Sequence, residues 1–469
     1  MVNPTKAPKP PLHQHIETQP MNNPPLILHP DALSRRSFLR RGSAAVAGSA
    51  LIGGLAPERY AFGASNNDTL KVALIGCGGR GSGAANQALS TYRDGPIKLV
   101  AMADIHEDRL NSALGNLQKT HADRMDVPKE RQFLGFDKFK EAIAQCDVAI
   151  LSTPPGFRPQ HFEEAIRQGK HVFMEKPVAS DAAGVRRVLA AAEEAKKKNL
   201  KVGVGLQRHH QAGYIETMKR IHGGEIGDIV AARCYWNGNR PWQKKRADLE
   251  KQYGRPLTEM EYQLRNWYYF TWICGDHITE QHIHNIDVIN WAKNAHPVKA
   301  RSMGGREITN SPDDGEIYDH FACEFEYEDG SICYSYCRHQ PNCWNSVSEH
   351  VVGTKGRSDI GRNTITGAEP WRYKAEGAKD PYQQEHDDLF RAIRNNTPYN
   401  EAFYGAESTM TAILGRMAAY SGKELEWNAA LNSKIALVPD VTDFNAEAPV
   451  KPGPDGYYQK AVPGKTAVL

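Results

Sequence analysis

Leu70-Lys71-Val72-Ala73-Leu74-Ile75-Gly76-Cys77-Gly78-Gly79-Arg80-Gly81 is the stretch on which the reading of this chain turns. Its first half is a short apolar run with β-branched residues, the composition of a buried strand. Its second half is a GxGxxG turn, and a small-residue stretch of helical character follows from Ser82 to Leu89. The glycine pattern alone is weak; a strand before it and a helix after it give it meaning. Gly76 permits the tight turn, Gly78 lets the backbone approach a pyrophosphate, and Gly81 lets the helix pack on the strand. The helix N-terminus then offers free N–H groups and a positive dipole end to the phosphates. Gly79 and Arg80 complete the same turn and count with it as cofactor contacts.

The pattern continues towards the C-terminus. A second strand, Lys98 to Ala103, ends at Asp104, about twenty residues beyond Gly81, the spacing of a ribose-binding acid. A carboxylate there accepts from both ribose hydroxyls and repels a 2′-phosphate. Ile105 and His106 follow with no immediate arginine, so NAD is expected in preference to NADP. The plainer role for Asp104 is a helix cap. Val148 to Thr153 is a buried-type strand that ends in Thr153-Pro154-Pro155, a rigid turn suited to carry a nicotinamide ring. A helix over Gln160 to Gln168 and a strand from His171 to Met174 lead into Glu175-Lys176-Pro177. A helix from Asp181 to Lys198 and a strand from Val202 to Leu206 come next, and Gln207 follows. Strand and helix alternating on short connections predict an α/β domain over residues 68–206, built on a doubly wound parallel sheet.

The Rossmann start, the Thr153-Pro154-Pro155 turn and Glu175-Lys176-Pro177 together resemble the Gfo/Idh/MocA family, over about residues 68 to 430. The resemblance implies a second, α+β domain with a large open, mainly antiparallel sheet, assigned to residues 207–438. It implies that Lys176 lies beside the nicotinamide and the reacting carbon, with Glu175 and Gln207 among the cofactor contacts. It also implies NAD as cofactor, a sugar or polyol as substrate, and a homo-oligomer. Read on their own, the residues agree with a second domain. A helix, Tyr214 to His222, and an Ile226-Gly227-Asp228 turn precede a strand from Ile229 to Trp236. Phe321 to Tyr327 and Ser331 to Cys337 alternate as strands around the hairpin signal Glu328-Asp329-Gly330. Helices are expected over Gln383 to Arg394 and Ala406 to Ser421, and an extended tail over residues 439–469.

The family carries an Asp-x-x-x-His pair at a helix start. Here the matching residues are Glu280 and His284, within Gly275-Asp276-His277-Ile278-Thr279-Glu280-Gln281-His282-Ile283-His284. One helical turn separates them, so both can face one cleft. Oxidising an alcohol requires a proton to leave oxygen as hydride leaves carbon, and an imidazole with an ordinary pKa of ~6.5 is a suitable base. His284 takes that role, Glu280 orients its ring, and Lys176 polarises the substrate oxygen. Without the resemblance, His284 reads as a hydrogen-bonded core histidine and Lys176 as a surface lysine. A rival is a metal site on an extended strand with Glu280, His282 and His284 on one face and Asp276 or His277 nearby; the Ile-x-x-Val-Ile-x-Trp pattern that follows favours a helix, and no metal is expected. Between the two parts, residues 237–271 carry Asn237, Asn239, Arg240, Trp242, Arg265, Asn266, Trp267, Tyr268 and Tyr269. Aromatic faces beside hydrogen-bond donors suit a polyhydroxylated ring, and Arg240, Trp267, Tyr268 and His284 are the expected substrate contacts. Their plainer role is an aromatic cluster or a subunit contact.

The chain has 469 residues and a formal net charge of +3, which asks for neither nucleic acid nor an anionic membrane. Residues 1–64 read as a leader. A proline-rich start precedes Ser34-Arg35-Arg36-Ser37-Phe38-Leu39, then an apolar run from Ala44 to Leu55 and the small residues Ala61-Phe62-Gly63-Ala64. Basic, apolar and cleavage regions in that order form a signal peptide, and the paired arginines resemble the twin-arginine export signal. Export to the periplasm without a stable membrane anchor is the expectation. Eight cysteines contain no Cys-x-x-Cys pair, and a disulfide among Cys323, Cys333, Cys337 and Cys343 stays open. Because free NAD is not expected outside the cytoplasm, a cofactor carried out with the folded protein must be regenerated in place. Three functions fit: an oxidoreductase on sugar hydroxyls; a redox-neutral NAD-dependent glycosidase, with Tyr268, Tyr269, Asp276 or His282 as extra acid or base; and a non-catalytic nucleotide- or sugar-binding protein.

Overall fold

The computed structural model describes residues 68–469 except 309, 376 and 378, so the expected leader and export signal lie outside the described residues. Six strands, β1 (Leu70–Ile75), β2 (Ile97–Asp104), β3 (Gln132–Leu134), β4 (Val148–Leu151), β5 (His171–Met174) and β6 (Val202–Val204), form a parallel sheet in the order β3-β2-β1-β4-β5-β6. β1 sits at the centre and is buried on both faces. Val72 and Leu74 pack towards the helices Gly79–Ser90 and Glu107–His121. Ala73 and Ile75 pack towards the helices Phe139–Ala144, Arg158–Arg167 and Ala182–Lys197. Strands buried on both sides are why these runs read as continuously apolar. The register sets Ile75 beside Ala103 and Leu151, and Leu151 beside Met174. Gly76, Asp104, Ser152 and Glu175 therefore leave the sheet side by side at its carboxyl edge, where ligands of such sheets bind.

The second sheet contains β7 (Ile229–Gly238), β8 (Lys299–Gly305), β9 (His320–Glu326), β10 (Ile332–His339), β11 (Ser346–Gly353), β12 (Gly356–Asp359), β13 (Thr364–Gly367), β14 (Trp371–Arg372) and β15 (Leu425–Glu426). Their order is β14-β13-β12-β11-β7-β10-β9-β8-β15. All pairs are antiparallel except β7 with β10, so the sheet is mixed but mainly antiparallel, as expected. The expected hairpin joins β9 to β10, with Gly330 at φ 80° and Tyr327 N–H donating to Ser331 O at 2.9 Å. Helices Ile283–Lys293 and Ala402–Ser421 cover one face of the sheet. The other face is open and carries Tyr235, Tyr334, Tyr336 and Val352, with Trp344 set edge-on to Tyr235.

Three features were not foreseen. The helix Pro381–Arg394 returns to the first domain: Leu389, Phe390 and Ile393 join the apolar cluster beneath the helix Gly79–Ser90. Behind it, residues 399–401 run alongside β6, with Val202 N–H donating to Tyr399 O and Glu401 N–H to Val202 O, both at 2.9 Å. Residues 246–274 are not a plain connection but carry the helices Arg246–Tyr253, Glu259–Arg265 and Thr271–Cys274. Finally, residues 439–469 lack helix and strand but are fastened to those helices. Gln263 Nε2 donates to Val450 O at 2.7 Å, and Ala448 and Tyr458 are buried against Met260, Tyr262 and Phe270. Every cysteine is a free thiol; Cys234 and Cys333 approach most closely, with Sγ atoms 4.0 Å apart. Among the described residues no helix is long and apolar enough to cross a membrane.

Candidate active site

A cleft of about 700 Å³ opens at the carboxyl edge of the six-stranded sheet, and the second domain forms its far wall. The glycine turn forms one end. Gly76 has φ 90°, and a Cβ there would lie 2.6 Å from Thr153 N. A Cβ on Gly81 would lie 2.0 Å from Gly76 O, so the helix can start this close to β1 only without a side chain. Cβ atoms on Gly78 and Gly79 would instead meet nothing within 4 Å. That open space lies at the helix N-terminus, where a pyrophosphate needs it. Asp104 lies at the next strand end and accepts from Cys77 N–H at 2.6 Å and His106 N–H at 2.8 Å. Burial raises its carboxyl above the ordinary value, and the two backbone donors oppose that. A two-oxygen carboxylate fixed by two N–H groups keeps lone pairs for ribose hydroxyls. These residues fit a dinucleotide.

At the other end, Thr153-Pro154-Pro155 and Glu175-Lys176-Pro177 line the cleft together. Arg158, fully buried, donates to both Thr153 O and Pro177 O and so ties the two turns to each other. Burial draws its guanidinium down to about 10, against the attraction of Glu175 and Glu280. Arg80 reaches back from the glycine turn to Glu175 at 2.5 Å and Glu385 at 3.4 Å. Lys176 Nζ donates across the cleft to Glu280 O at 2.5 Å and pairs with Glu280 Oε1 at 3.3 Å. Lys176 is thereby fixed between the two domains.

The segment around Glu280 differs from expectation in one respect. A short helical turn, His277–Glu280, ends before the helix Ile283–Lys293 begins, so Glu280 and His284 do not share one continuous helix. Both line the cleft, but the carboxylate of Glu280 meets Lys176, not the His284 ring. The backbone break at Gln281 separates the two residues that an unbroken helix would set on one face. His284 stacks on Trp236, with centroids 5.9 Å apart and planes at 22°, and its Nδ1 is buried without a hydrogen bond within the chain. Burial, with Lys176 and Arg208 adding repulsion, holds the imidazole well below its ordinary pKa, so it is neutral at pH 7. The metal reading fails on the same geometry. The segment is two helical stretches joined by a turn, not an extended strand, and His282 in that turn points to Ser335 Oγ at 2.7 Å and Cys234 Sγ at 3.7 Å.

Trp267 and Tyr268 line the cleft as expected, joined by Trp236 and Trp242. Trp242 stands edge-on to Trp267 at 5.6 Å and to Tyr268 at 6.1 Å. The Tyr268 hydroxyl is buried without a hydrogen bond within the chain. Burial, with Glu280 next in importance, raises it well above its ordinary value, so it is a donor at neutral pH. Two expected contacts lie outside the lining. Arg240 is bound by Asp314 and set over the Tyr269 ring at 5.5 Å, and Gln207 donates to Tyr382 OH at 3.1 Å. Several lining residues carried no signal in the sequence. Gln281, whose Oε1 is 3.0 Å from His339 Nε2, sits between the two candidate catalytic residues. Tyr382 arrives on the returning helix and Val441 comes from the tail, whereas Arg265, a donor of the 237–271 stretch, lines the cleft in keeping with that stretch's reading. A buried arginine such as Arg158, next to Thr153-Pro154-Pro155, is the one that its neighbourhood could have suggested.

Residues 70–204 match the family model of the Gfo/Idh/MocA oxidoreductase family, NAD-binding Rossmann fold, and residues 214–358 match the GFO/IDH/MocA C-terminal domain. Inositol 2-dehydrogenase of Acidiphilium cryptum is 27% identical over 247 residues, which is 52% of this chain and 60% of that protein. The chain thus matches somewhat under two thirds of the curated relative's length. Among solved structures, scyllo-inositol dehydrogenase from Lactobacillus casei with NAD(H) and scyllo-inositol has a TM-score of 0.57 at 20% identity, over 77% of this chain and all of that one. An aldose-aldose oxidoreductase from Caulobacter crescentus has a TM-score of 0.58 at 18% identity, over 76% of this chain and 100% of that one.

Proposed function

This chain belongs to the Gfo/Idh/MocA family of NAD-binding oxidoreductases, and from that premise we propose that it transfers hydride between a bound NAD and a secondary alcohol carbon of a sugar or polyol. The observation that carries the reading is the meeting of Lys176, Glu280 and the neutral His284 in one cleft with the glycine turn and Asp104. When bound, NAD supplies the hydride acceptor at the end of the cleft marked by Thr153-Pro154-Pro155 and Lys176. The chain's own residues do the rest. His284 takes the hydroxyl proton, because its burial keeps the nitrogen lone pair free at neutral pH. Lys176 places a cation where the substrate oxygen gains negative charge, and Glu280 holds that cation across the domain boundary. The Trp236, Trp242, Trp267 and Tyr268 faces exclude water and stack against C–H faces of a ring. The match to inositol 2-dehydrogenase supports a polyol in that place.

Export by the twin-arginine route to the periplasm belongs to the same proposal. It is supported by Arg35-Arg36 ahead of the apolar run Ala44 to Leu55. There the cofactor stays with the protein, and a second compound reoxidises it in the same cleft. Two chains pair in this reading through the open face of the nine-stranded sheet, which exposes Tyr334, Tyr336 and Trp344. A redox-neutral glycosidase is the second reading, favoured by the buried, unpartnered hydroxyl of Tyr268 close to Glu280. The test is the absorbance spectrum of the purified protein, taken before and after addition of a panel of sugars, polyols and glycosides. A bound nicotinamide that becomes reduced with one sugar or polyol and reoxidised by a second compound is expected. Release of an aglycone with no lasting reduction favours the glycosidase, and failure to bind any dinucleotide sinks both.

A further inference from the structure

Part of the cleft wall comes from the tail, which lies beyond both family matches. At the end of β2, Asp104, Ile105 and His106 line the same cleft as Lys244, as Leu264 and Arg265 of the helical insert (residues 246–274) and as the tail residue Val441. Phe444, three residues further on, stacks on the His106 ring at 5.4 Å and 17° and meets the Phe136 ring edge-on at 5.0 Å. His106 and Phe136 themselves line the cleft. One apolar cluster runs from Ile105 and Phe136 of the first domain through Leu257 and Leu264 of the insert to Val441 and Phe444 of the tail. The tail is fastened on both sides of this contact. Leu437 N–H donates to Asp181 Oδ2 at 2.6 Å, Thr258 Oγ1 donates to Phe444 O, and Gln263 Nε2 donates to Val450 O at 2.7 Å. Two cross-links close the same edge from the insert: Arg265 to Asp108 at 3.4 Å, and Tyr253 OH to Asp108 Oδ2 at 3.3 Å. Burial keeps His106 neutral, at about 3, so this contact is apolar stacking and not an ion pair that salt would loosen.

We infer that residues 437–450 are a strap across the adenosine end of the dinucleotide site, and that Val441 and Phe444 make the bound NAD a resident group that does not exchange between turnovers. The inference rests on the proposed dinucleotide occupancy and deepens it. The Asp104 end is where a Rossmann site holds the adenosine ribose. With Val441 over that end and Phe444 locked onto His106 and Phe136, the tail and the insert must lift before a dinucleotide can leave. An enzyme built this way turns over by alternate oxidation and reduction at one site.

The experiment uses the full chain loaded with NAD, mixed with an excess of NAD radiolabelled in the adenine, and sampled over hours by rapid desalting. For the unaltered protein the bound label is expected to rise only over hours. Phe444→Ala and, as a milder change at a half-buried position, Val441→Ser are each first checked for an unchanged melting temperature. Together the two side chains bury enough apolar surface that the double variant should exchange about 100-fold faster. Exchange complete within the mixing time in the unaltered protein overturns the strap, as does an unchanged rate in both single variants. Those outcomes leave the dinucleotide reading standing. A chain that takes up no NAD at any concentration overturns both.

Discussion

Replacing Lys176 by methionine removes one charge from the centre of the cleft and keeps most of the side-chain volume. The size of the effect follows from the distance at which Lys176 already holds an anion. Its Nζ lies 3.3 Å from Glu280 Oε1. At an effective dielectric of about 20, two unit charges at that separation attract by about 5 kcal/mol. A substrate oxygen that carries about half a charge as the proton leaves then gains roughly 2.5 kcal/mol, which is about a 70-fold change in rate. Removing the cation also leaves the mostly buried Glu280 carboxylate without its partner, so Lys176→Met is paired with the double variant Lys176→Met/Glu280→Gln, in which both charges are gone. The assay is single-turnover reduction of bound NAD, followed by nicotinamide absorbance at saturating polyol. Both variants should hold as much NAD as the unaltered protein and reduce it on the order of 100-fold more slowly. A rate within about threefold of the unaltered protein in both variants would show that Lys176 does not act on the substrate oxygen. A loss of NAD content as large as the loss of rate would make it a cofactor anchor instead.

Two further outcomes follow from the geometry of the first domain and its seam. Gly81→Ala puts a Cβ 2.0 Å from Gly76 O, a backbone atom that cannot move without breaking the turn, and is expected to lower stability by more than the ~1–3 kcal/mol of ordinary overpacking. Gly115→Ala, on an exposed helix position with open space, should raise it by about 0.5–1 kcal/mol, and calorimetry showing equal effects would refute the close approach. His210 is the pH-sensitive residue at the seam. Burial lowers its pKa, but Asp388 at 2.9 Å and Glu401 at 3.1 Å outweigh that and raise it to about 10. The folded value lies above that of a free imidazole, so the stabilisation is complete below about pH 6.5 and is lost as pH rises through about 10. Denaturant melts at pH 6 and pH 9.5 should differ by a few kcal/mol in the unaltered protein and clearly less in His210→Gln.

The glycine turn, Asp104, the Thr153-Pro154-Pro155 turn and Glu175-Lys176 were legible because each sits within a few residues of the strand end that presents it. Sheet register alone then brings them to one edge. Reading failed where position depends on partners far along the chain. Arg240 pairs with Asp314 outside the cleft lining, and Gln207 donates to Tyr382 on a helix that returns from the other domain. Glu280 was correctly placed in the cleft, but its partner depends on a backbone break at Gln281 that an i, i+4 spacing does not reveal. The tail has no hydrophobic period, so a reading by period sees an extended end, whereas the contacts that matter are single side chains such as Val441 and Phe444.

The return of the helix Pro381–Arg394 and of residues 399–401 to the first domain means that the nucleotide-binding half is written in two separate passages of the chain. A fragment cut at residue 206 would leave the cluster around Val72, Leu74 and Leu89 without Leu389, Phe390 and Ile393, and would bare the flank of β6. A swap of cofactor halves between homologues would have to carry both passages or fail.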